Sequence, residues 1–290
     1  MNGPAPDPAS QGRPAIFDRH ARRRHRDRAE SRFAEHDFVH AAMLDGLAER
    51  LDAVKRDFTD ILDLGSWTGG FLAPPGARVA RTDPGFAFAR ASRGVQADED
   101  RLPFADASFD CVVSAGVLDQ VDDLPGALTL ARRVLRPDGL FLAAFVGAGS
   151  FPALKAAFRA AEPDRPVARV HPQIDVRSAG DLLVRAGFAL PVADVETLDV
   201  GYPNLFRLLD DLRGMAASNA LAERHPLSRT ALARAADAFA AAAGPDGRTR
   251  ERIDIVFLTG WSPDASQPKP ARRGSATASL AAALKDKPGT

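Results

Sequence analysis

Three groups of residues in this chain have types and spacings suited to chemistry. The first is Ile61-Leu62-Asp63-Leu64-Gly65-Ser66-Trp67-Thr68-Gly69-Gly70, an apolar run that ends in a carboxylate and enters a glycine-rich turn. Gly65, Gly69 and Gly70 free the backbone to adopt open conformations and let a ligand approach closely. Asp63 is placed to orient the turn or to meet a ligand amine. The second group is acidic: Asp83 in Arg81-Thr82-Asp83, then Asp98 and Glu99 in Ala97-Asp98-Glu99-Asp100. A carboxylate after a second parallel strand can accept hydrogen bonds from both hydroxyls of a ribose. The third group is dispersed. Asp119 and His171 are candidates for a general base. Tyr202, the sole tyrosine, and Asn204 either line a substrate pocket or anchor a helix start. An ordinary strand-to-helix turn would also produce the first pattern, which is weak by itself.

Other chemistries find less support. A non-haem iron centre uses two histidines and a carboxylate. His25-Arg26-Asp27 has a His-x-Asp spacing, and His36 and His40 are four apart, but all lie in charged helical sequence and are expected as solvated helix histidines. No metal site is expected. No nucleophile–histidine–acid arrangement is visible. Cys111, the single cysteine, lies in the apolar run Phe109-Asp110-Cys111-Val112-Val113 and is expected as a buried small side chain.

The elements that must position these residues alternate. Short apolar runs at 60–64, 77–82, 94–97, 109–115 and 139–146 read as strands, with helical patterns at 85–92 and 123–135. Leu135-Arg136-Pro137-Asp138-Gly139 stops the second of these helices by proline–glycine chemistry. Apolar strands alternating with helices indicate a parallel sheet covered on both faces. Val39, Met43, Leu44, Leu47, Leu51 and Val54 mark an amphipathic helix ahead of the first strand. Further helices are expected at 151–161 and 177–186, a strand at 190–200, a helical region over 203–243 interrupted near Pro226, and a last strand at 253–260. The strands at 190–200 and 253–260 are expected to pair at one edge.

The N-terminal segment is unusual. Arg22, Arg23, Arg24, Arg26 and Arg28 crowd into Ile16 to Arg32 with Asp27 and Glu30. The plainer reading is a solvated helix face, and the sharper one is a basic arm that touches a partner or an acidic surface. The formal net charge of the 290-residue chain is zero, which argues against nucleic-acid binding through bulk charge. Only five basic residues are lysine, a bias read as compositional. No apolar run approaches the ~20 residues needed to span a bilayer, and no secretory signal is recognisable. A cytoplasmic protein is expected, with peripheral contact at the inner face of a membrane left open.

Taken together, Asp-x-Gly after the first strand, the acid after the second, Asp98 ahead of Leu102-Pro103-Phe104, and Phe109-Asp110 at the fourth strand resemble the class I S-adenosylmethionine-dependent methyltransferases. The resemblance implies a doubly wound, seven-stranded α/β Rossmann-like sheet over residues 57–261, with a helical arm at 15–56 and a helical insertion at about 202–245. Residues 1–14 are expected to be disordered and 262–290 a flexible tail. It implies S-adenosyl-L-methionine as cofactor, held by Asp63, Gly65, Ser66, Gly69, Asp83, Asp98, Glu99 and Ser114.

A narrower resemblance covers the whole chain. Ile16-Phe17-Asp18-Arg19, Gly201-Tyr202-Pro203-Asn204-Leu205-Phe206, Leu209-Asp210-Asp211-Leu212-Arg213-Gly214-Met215, Gly260-Trp261 and Pro270-Ala271-Arg272-Arg273-Gly274-Ser275-Ala276-Thr277 are similar to the respiratory complex I assembly-factor family of this superfamily. The malonyl-carrier-protein methyltransferases are a more distant likeness. The narrower resemblance implies a complex I subunit as partner and arginine hydroxylation as activity. A non-catalytic assembly protein and a small-molecule or carrier-protein methyltransferase stand as alternatives.

Three positions depart from the superfamily pattern. Trp67 stands where the glycine turn has its middle glycine, Pro74-Pro75 cuts short the helix that follows, and Leu118-Asp119-Gln120 replaces a Leu-His-Trp run. Either the tryptophan points away from an intact cofactor pocket, or the pocket is remodelled.

Overall fold

The computed structural model describes residues 14–165 and 167–268. The expected disordered segment, apart from residue 14, and most of the expected tail, including the Pro270–Thr277 motif, lie outside these residues.

Strands β1 (Asp60–Leu64), β2 (Arg78–Asp83), β3 (Val95–Gln96), β4 (Phe109–Ala115), β5 (Leu135–Val146), β6 (Ala189–Tyr202) and β7 (Thr249–Trp261) form one sheet in the order β3-β2-β1-β4-β5-β7-β6. The first five pair in parallel, and β7 runs antiparallel between β5 and β6. The chain reverses direction across the sheet at β1, so the carboxyl ends of β1 and β4 flank the crevice where such folds bind ligands.

The apolar strands explain the two-sided core. Successive side chains on a strand point to opposite faces. Ile61, Val113, Leu140 and Leu142 pack on one face against Met43 and Leu47 of helix α2 (Phe38–Asp52) and against the later helices α5 (Pro152–Ala161), α7 (Leu205–Gly214) and α8 (Arg229–Ala241). Leu62, Leu64, Val112 and Phe141 pack on the other face with α3 (Phe86–Ala91), α4 (Leu124–Val134) and α6 (Val176–Arg185). Asp123, Asp175, Asn204 and Ser228 cap α4, α6, α7 and α8 by accepting from backbone N–H groups of their first turns.

Several boundaries differ from the sequence reading. No helix joins β1 to β2; residues 65–77 are turn and coil, as two adjacent prolines demand. Leu135 to Gly139 belongs to β5, because Leu135 already pairs with Phe109 across an irregularity. The strand expected at 94–97 shrinks to two residues. The insertion is two helices, α7 and α8, with the chain around Pro226 between them.

The arm is helix α1 (Arg19–Ala29), followed by a short 3₁₀ segment, Glu30–Glu35. Phe17 forms an antiparallel bridge to Leu221, and the backbone N–H groups of Ile16 and Phe17 both donate to Asp122 Oδ1. Among the described residues no helix is long and apolar enough to cross a membrane.

Candidate functional site

The glycine turn keeps its geometry although it has lost a glycine. Gly65 has φ 82°, and a Cβ there would stand 2.4 Å from Val117. Gly69 has φ 83°, and Trp67 between them takes φ 49°, in the left-handed region. The Gly65 and Ser66 N–H groups both donate to the Thr82 carbonyl, which ties the turn to the end of β2. Ser66 Oγ lies 2.8 Å from Ser92 Oγ.

The Trp67 side chain does not leave the pocket. Its indole is buried and stacks on Phe33 at 4.6 Å between centroids, with Phe88 edge-on at 5.0 Å. Its Nε1–H donates to the Ala115 carbonyl at 2.8 Å. The indole therefore fills the crevice between the carboxyl ends of β1 and β4, and of the two alternatives for Trp67 the remodelled pocket is the one observed.

The arginines of α1 account for the acids. Arg26 makes a two-pronged pair with Asp83, Nε to Oδ1 at 2.8 Å and Nη2 to Oδ2 at 2.5 Å, and its guanidinium lies 3.7 Å above the Trp67 ring. Asp83 also accepts from the N–H groups of Trp67 and Gly85, so its acceptor sites are filled. Arg22 grips Glu99 through both nitrogens at 2.7 and 2.8 Å and donates a third bond to the Val117 carbonyl. Arg23 and Arg19 reach Asp98 at 2.6 and 3.3 Å, and Arg19 also pairs with Asp100. Arg22, Arg26, Asp83 and Glu99 are all buried.

The expectation of a solvated arm is thus corrected. Arg19, Arg22, Arg23 and Arg26 share one face of the helix, and the acidic surface that they meet is the chain's own. His36 and His40 are corrected with it. His36 is buried with Nδ1 2.7 Å from Asp211 Oδ1, and His40 is buried beside Phe33 and Trp67, because α7 and the 3₁₀ segment cover the start of α2. Burial, with the charge of Arg26, pushes the His40 imidazole down to about 3.

The methionine end of the expected cofactor site has a different character. Asp63 Oδ2, Thr82 Oγ1 and Ser114 Oγ are buried and make no hydrogen bond. Burial raises the Asp63 carboxyl to about 7 against the pull of Arg81, whose Nε lies 3.7 Å away. In this arrangement three of the acids expected to hold S-adenosyl-L-methionine, Asp83, Asp98 and Glu99, are already occupied. The oxygens that would take the ribose and the adenine amine are held by four arginines, and an indole stands in the crevice.

Beyond Trp67 a cavity of about 360 Å³ opens between the sheet edge and the insertion. Met43, Phe151, Leu154, Leu212 and Met215 give it apolar walls, Trp67, His40, Asp119 and His171 also line it, and Arg169, Arg213 and Arg224 add charge to the lining. Both dispersed base candidates therefore reach this cavity. Asp119 Oδ1 is shut off from solvent without a hydrogen-bond partner, and burial lifts its carboxyl to about 6. His171 is engaged: Nε2 accepts from the Ala220 N–H at 2.9 Å, its ring meets the edge of Phe17, and burial lowers it to about 4. It anchors the loop before α8. Tyr202 and Asn204 stand outside the cavity. Tyr202 is buried in the core under the insertion, and Asn204 caps α7 through the Arg207 N–H. Among the described residues no cluster of three or more histidine, cysteine or acidic side chains could hold a metal ion.

A glycine turn after β1, acids after β2 and β3 and a reversed β7 define the methyltransferase fold, and a family model of a methyltransferase domain matches residues 62–143. The YcgJ protein of Bacillus subtilis superposes with a TM-score of 0.54 at 15% identity over 76% of this chain and 99% of its own. A SAM-dependent methyltransferase from Thermotoga maritima gives 0.50 at 18% identity, over 82% of this chain and 99% of its own. At these identities the likeness is one of fold. In sequence the chain is 33% identical to the mitochondrial arginine-hydroxylase NDUFAF5 of Danio rerio, over 92% of this chain and 88% of the relative. It is 32% identical to the malonyl-[acyl-carrier protein] O-methyltransferase of Laribacter hongkongensis, over 82% and 88%. The chain belongs to the methyltransferase-fold family that contains the NDUFAF5 arginine hydroxylases.

Proposed function

We propose that the protein modifies an arginine side chain of a protein partner, in the manner that the name of its NDUFAF5 relatives describes, and that the apolar cavity beyond Trp67 receives the side chain. The observation that carries this reading is Asp119. A carboxylate oxygen shut off from solvent without a hydrogen-bond partner, at the edge of a cavity with apolar walls and a polar mouth, costs several kcal/mol to keep ionised unless a cation meets it. A guanidinium is a cation of fitting shape, because its planar fork pairs with a carboxylate through two parallel bonds. Of the arginines around it, Arg22 pairs with Glu99, Arg224 with Asp18 and Arg169 with Glu162, while Arg213 lines the cavity as well and the charge of Arg22 acts on Asp119 without a hydrogen bond to it. The apolar walls suit the methylene stem of an incoming arginine and exclude water from the reacting carbons.

In this reading Asp63, Asp83, Asp98, Glu99 and Ser114 are not assigned to cofactor binding, and no step is drawn through S-adenosyl-L-methionine. Asp119 binds and orients the guanidinium, and His171 positions the 216–222 loop over the cavity. The partner implied by the family is a respiratory complex I subunit. The test is peptide mass spectrometry of complex I subunits from cells with the wild-type chain, without it, and with Asp119→Asn. One added oxygen on an arginine, present only with the wild-type chain, is expected. An added methyl, or an arginine unchanged by loss of the chain, would refute the reading.

A further inference from the structure

The acid set at the ends of β2 and β3 has no role in the function proposed above, yet it is the most elaborately satisfied polar cluster in the described chain. Asp83 and Glu99 are fully buried, and each is gripped through both oxygens by an arginine of α1. Asp98 and Asp100 add a second rank at the surface end of the helix, with Arg23 and Arg19. The Arg26 guanidinium carbon also lies over the Trp67 ring, 3.7 Å from its centroid, with the Phe88 centroid 5.2 Å away. A carboxylate in the plane and an aromatic ring on the face together make a recognition site for a guanidinium. The same carboxylates stand where the fold otherwise binds a ribose and an adenine amine.

We propose that Asp83, Asp98, Glu99 and Asp100 with Trp67 form a guanidinium-binding site whose resident ligand is the chain's own arginine-rich arm, and that an adenosine-type cofactor and the arm compete for it. The two ligands need the same oxygens. Asp83 has no acceptor site left once Arg26 and the two N–H groups are bound, so no ribose hydroxyl can be added without removing Arg26. Trp67 belongs to the same exclusion, because its indole is held between Phe33 behind the arm and Arg26 on it. The inference does not depend on which side chain the enzyme modifies.

The test uses the full chain and S-adenosyl-L-methionine as probe, with two readouts: titration calorimetry, and amide hydrogen exchange over residues 19–29. The Arg22→Ala/Arg26→Ala double variant is expected to bind the probe at least tenfold more tightly than the wild type. Arg23→Ala, whose side chain is partly exposed, is expected to gain a few-fold and keeps the buried pairs intact should the double variant fold poorly. In the wild type, probe at millimolar concentration is expected to reduce protection of the α1 amides. Equal affinity of wild type and variants, absence of binding in all of them, or full α1 protection with the probe bound would each overturn the competition.

Discussion

Replacing Trp67 by alanine and by glycine gives a stability order opposite to the usual one. The indole is 4% exposed and sits among Phe33, Phe88, His40 and Arg26. Truncating a buried tryptophan to alanine costs about 3–5 kcal/mol. Loss of the Nε1–H also leaves the Ala115 carbonyl without its side-chain donor, at about 1 kcal/mol. The backbone adds a term for the glycine variant only. Trp67 has φ 49°, a region that costs an L-residue about 1–2 kcal/mol and glycine almost nothing. Trp67→Ala retains that strain and Trp67→Gly releases it. Glycine's greater freedom in the unfolded chain returns about 0.5–1 kcal/mol of the gain. Trp67→Ala is therefore expected to lose about 4–6 kcal/mol, and Trp67→Gly about 0.5–1 kcal/mol less. Urea unfolding followed by circular dichroism, with unchanged m-values, measures both. An alanine variant as stable as the glycine variant or more so would refute the left-handed strain, and losses under 2 kcal/mol in both would refute the burial.

Two further outcomes follow from buried charge. Asp83→Asn leaves Arg26 buried without a counter-ion and should cost about 3–5 kcal/mol; adding Arg26→Met should recover at least half of that in the same urea assay, and no recovery would mean that the pair is not the source. Asp63→Asn tests the raised carboxyl. Because the folded value of about 7 lies above the ordinary 3.8, the folded state holds a proton that the unfolded state has released, and stability falls as pH rises from about 4 through 7. The wild type should lose about 2–3 kcal/mol between pH 5 and 8 through this group, at 1.36 kcal/mol per unit, and the asparagine variant should lack that part of the slope. Parallel slopes would show that Asp63 ionises normally.

The sheet was legible because its signals are local. The continuous apolar runs of β1, β4 and β5, buried on both faces, and the proline–glycine stop after α4 follow from residues a few positions apart. The absence of a helix after the glycine turn could be read from Pro74-Pro75. Which of the two readings of the arm holds was not legible, for a reason that is also physical. A cluster of arginines at helical spacing looks the same whether it faces water or acids far along the chain, and only the pairing of Arg19, Arg22 and Arg23 with Asp98, Glu99 and Asp100, and of Arg26 with Asp83, decides it. The spacing of those four, three or four residues apart on one face, was the available signal. His36 and His40 were misread alike, since the α7 residues that bury His36 lie about 175 positions further on. Asp119 was identified as a candidate, but its isolation from any partner depends on α1, the sheet edge and the insertion meeting around it.

Binding of an arginine probe to the cavity tests the central claim most directly. N-acetylarginine amide should bind the full chain, and Asp119→Asn should weaken it at least tenfold. The affinity should rise as pH increases through about 6, where the Asp119 carboxyl ionises, and the uncharged citrulline analogue should not bind. Equal affinity for wild type and Asp119→Asn, or binding that ignores pH between 5 and 8, would contradict a guanidinium site at Asp119.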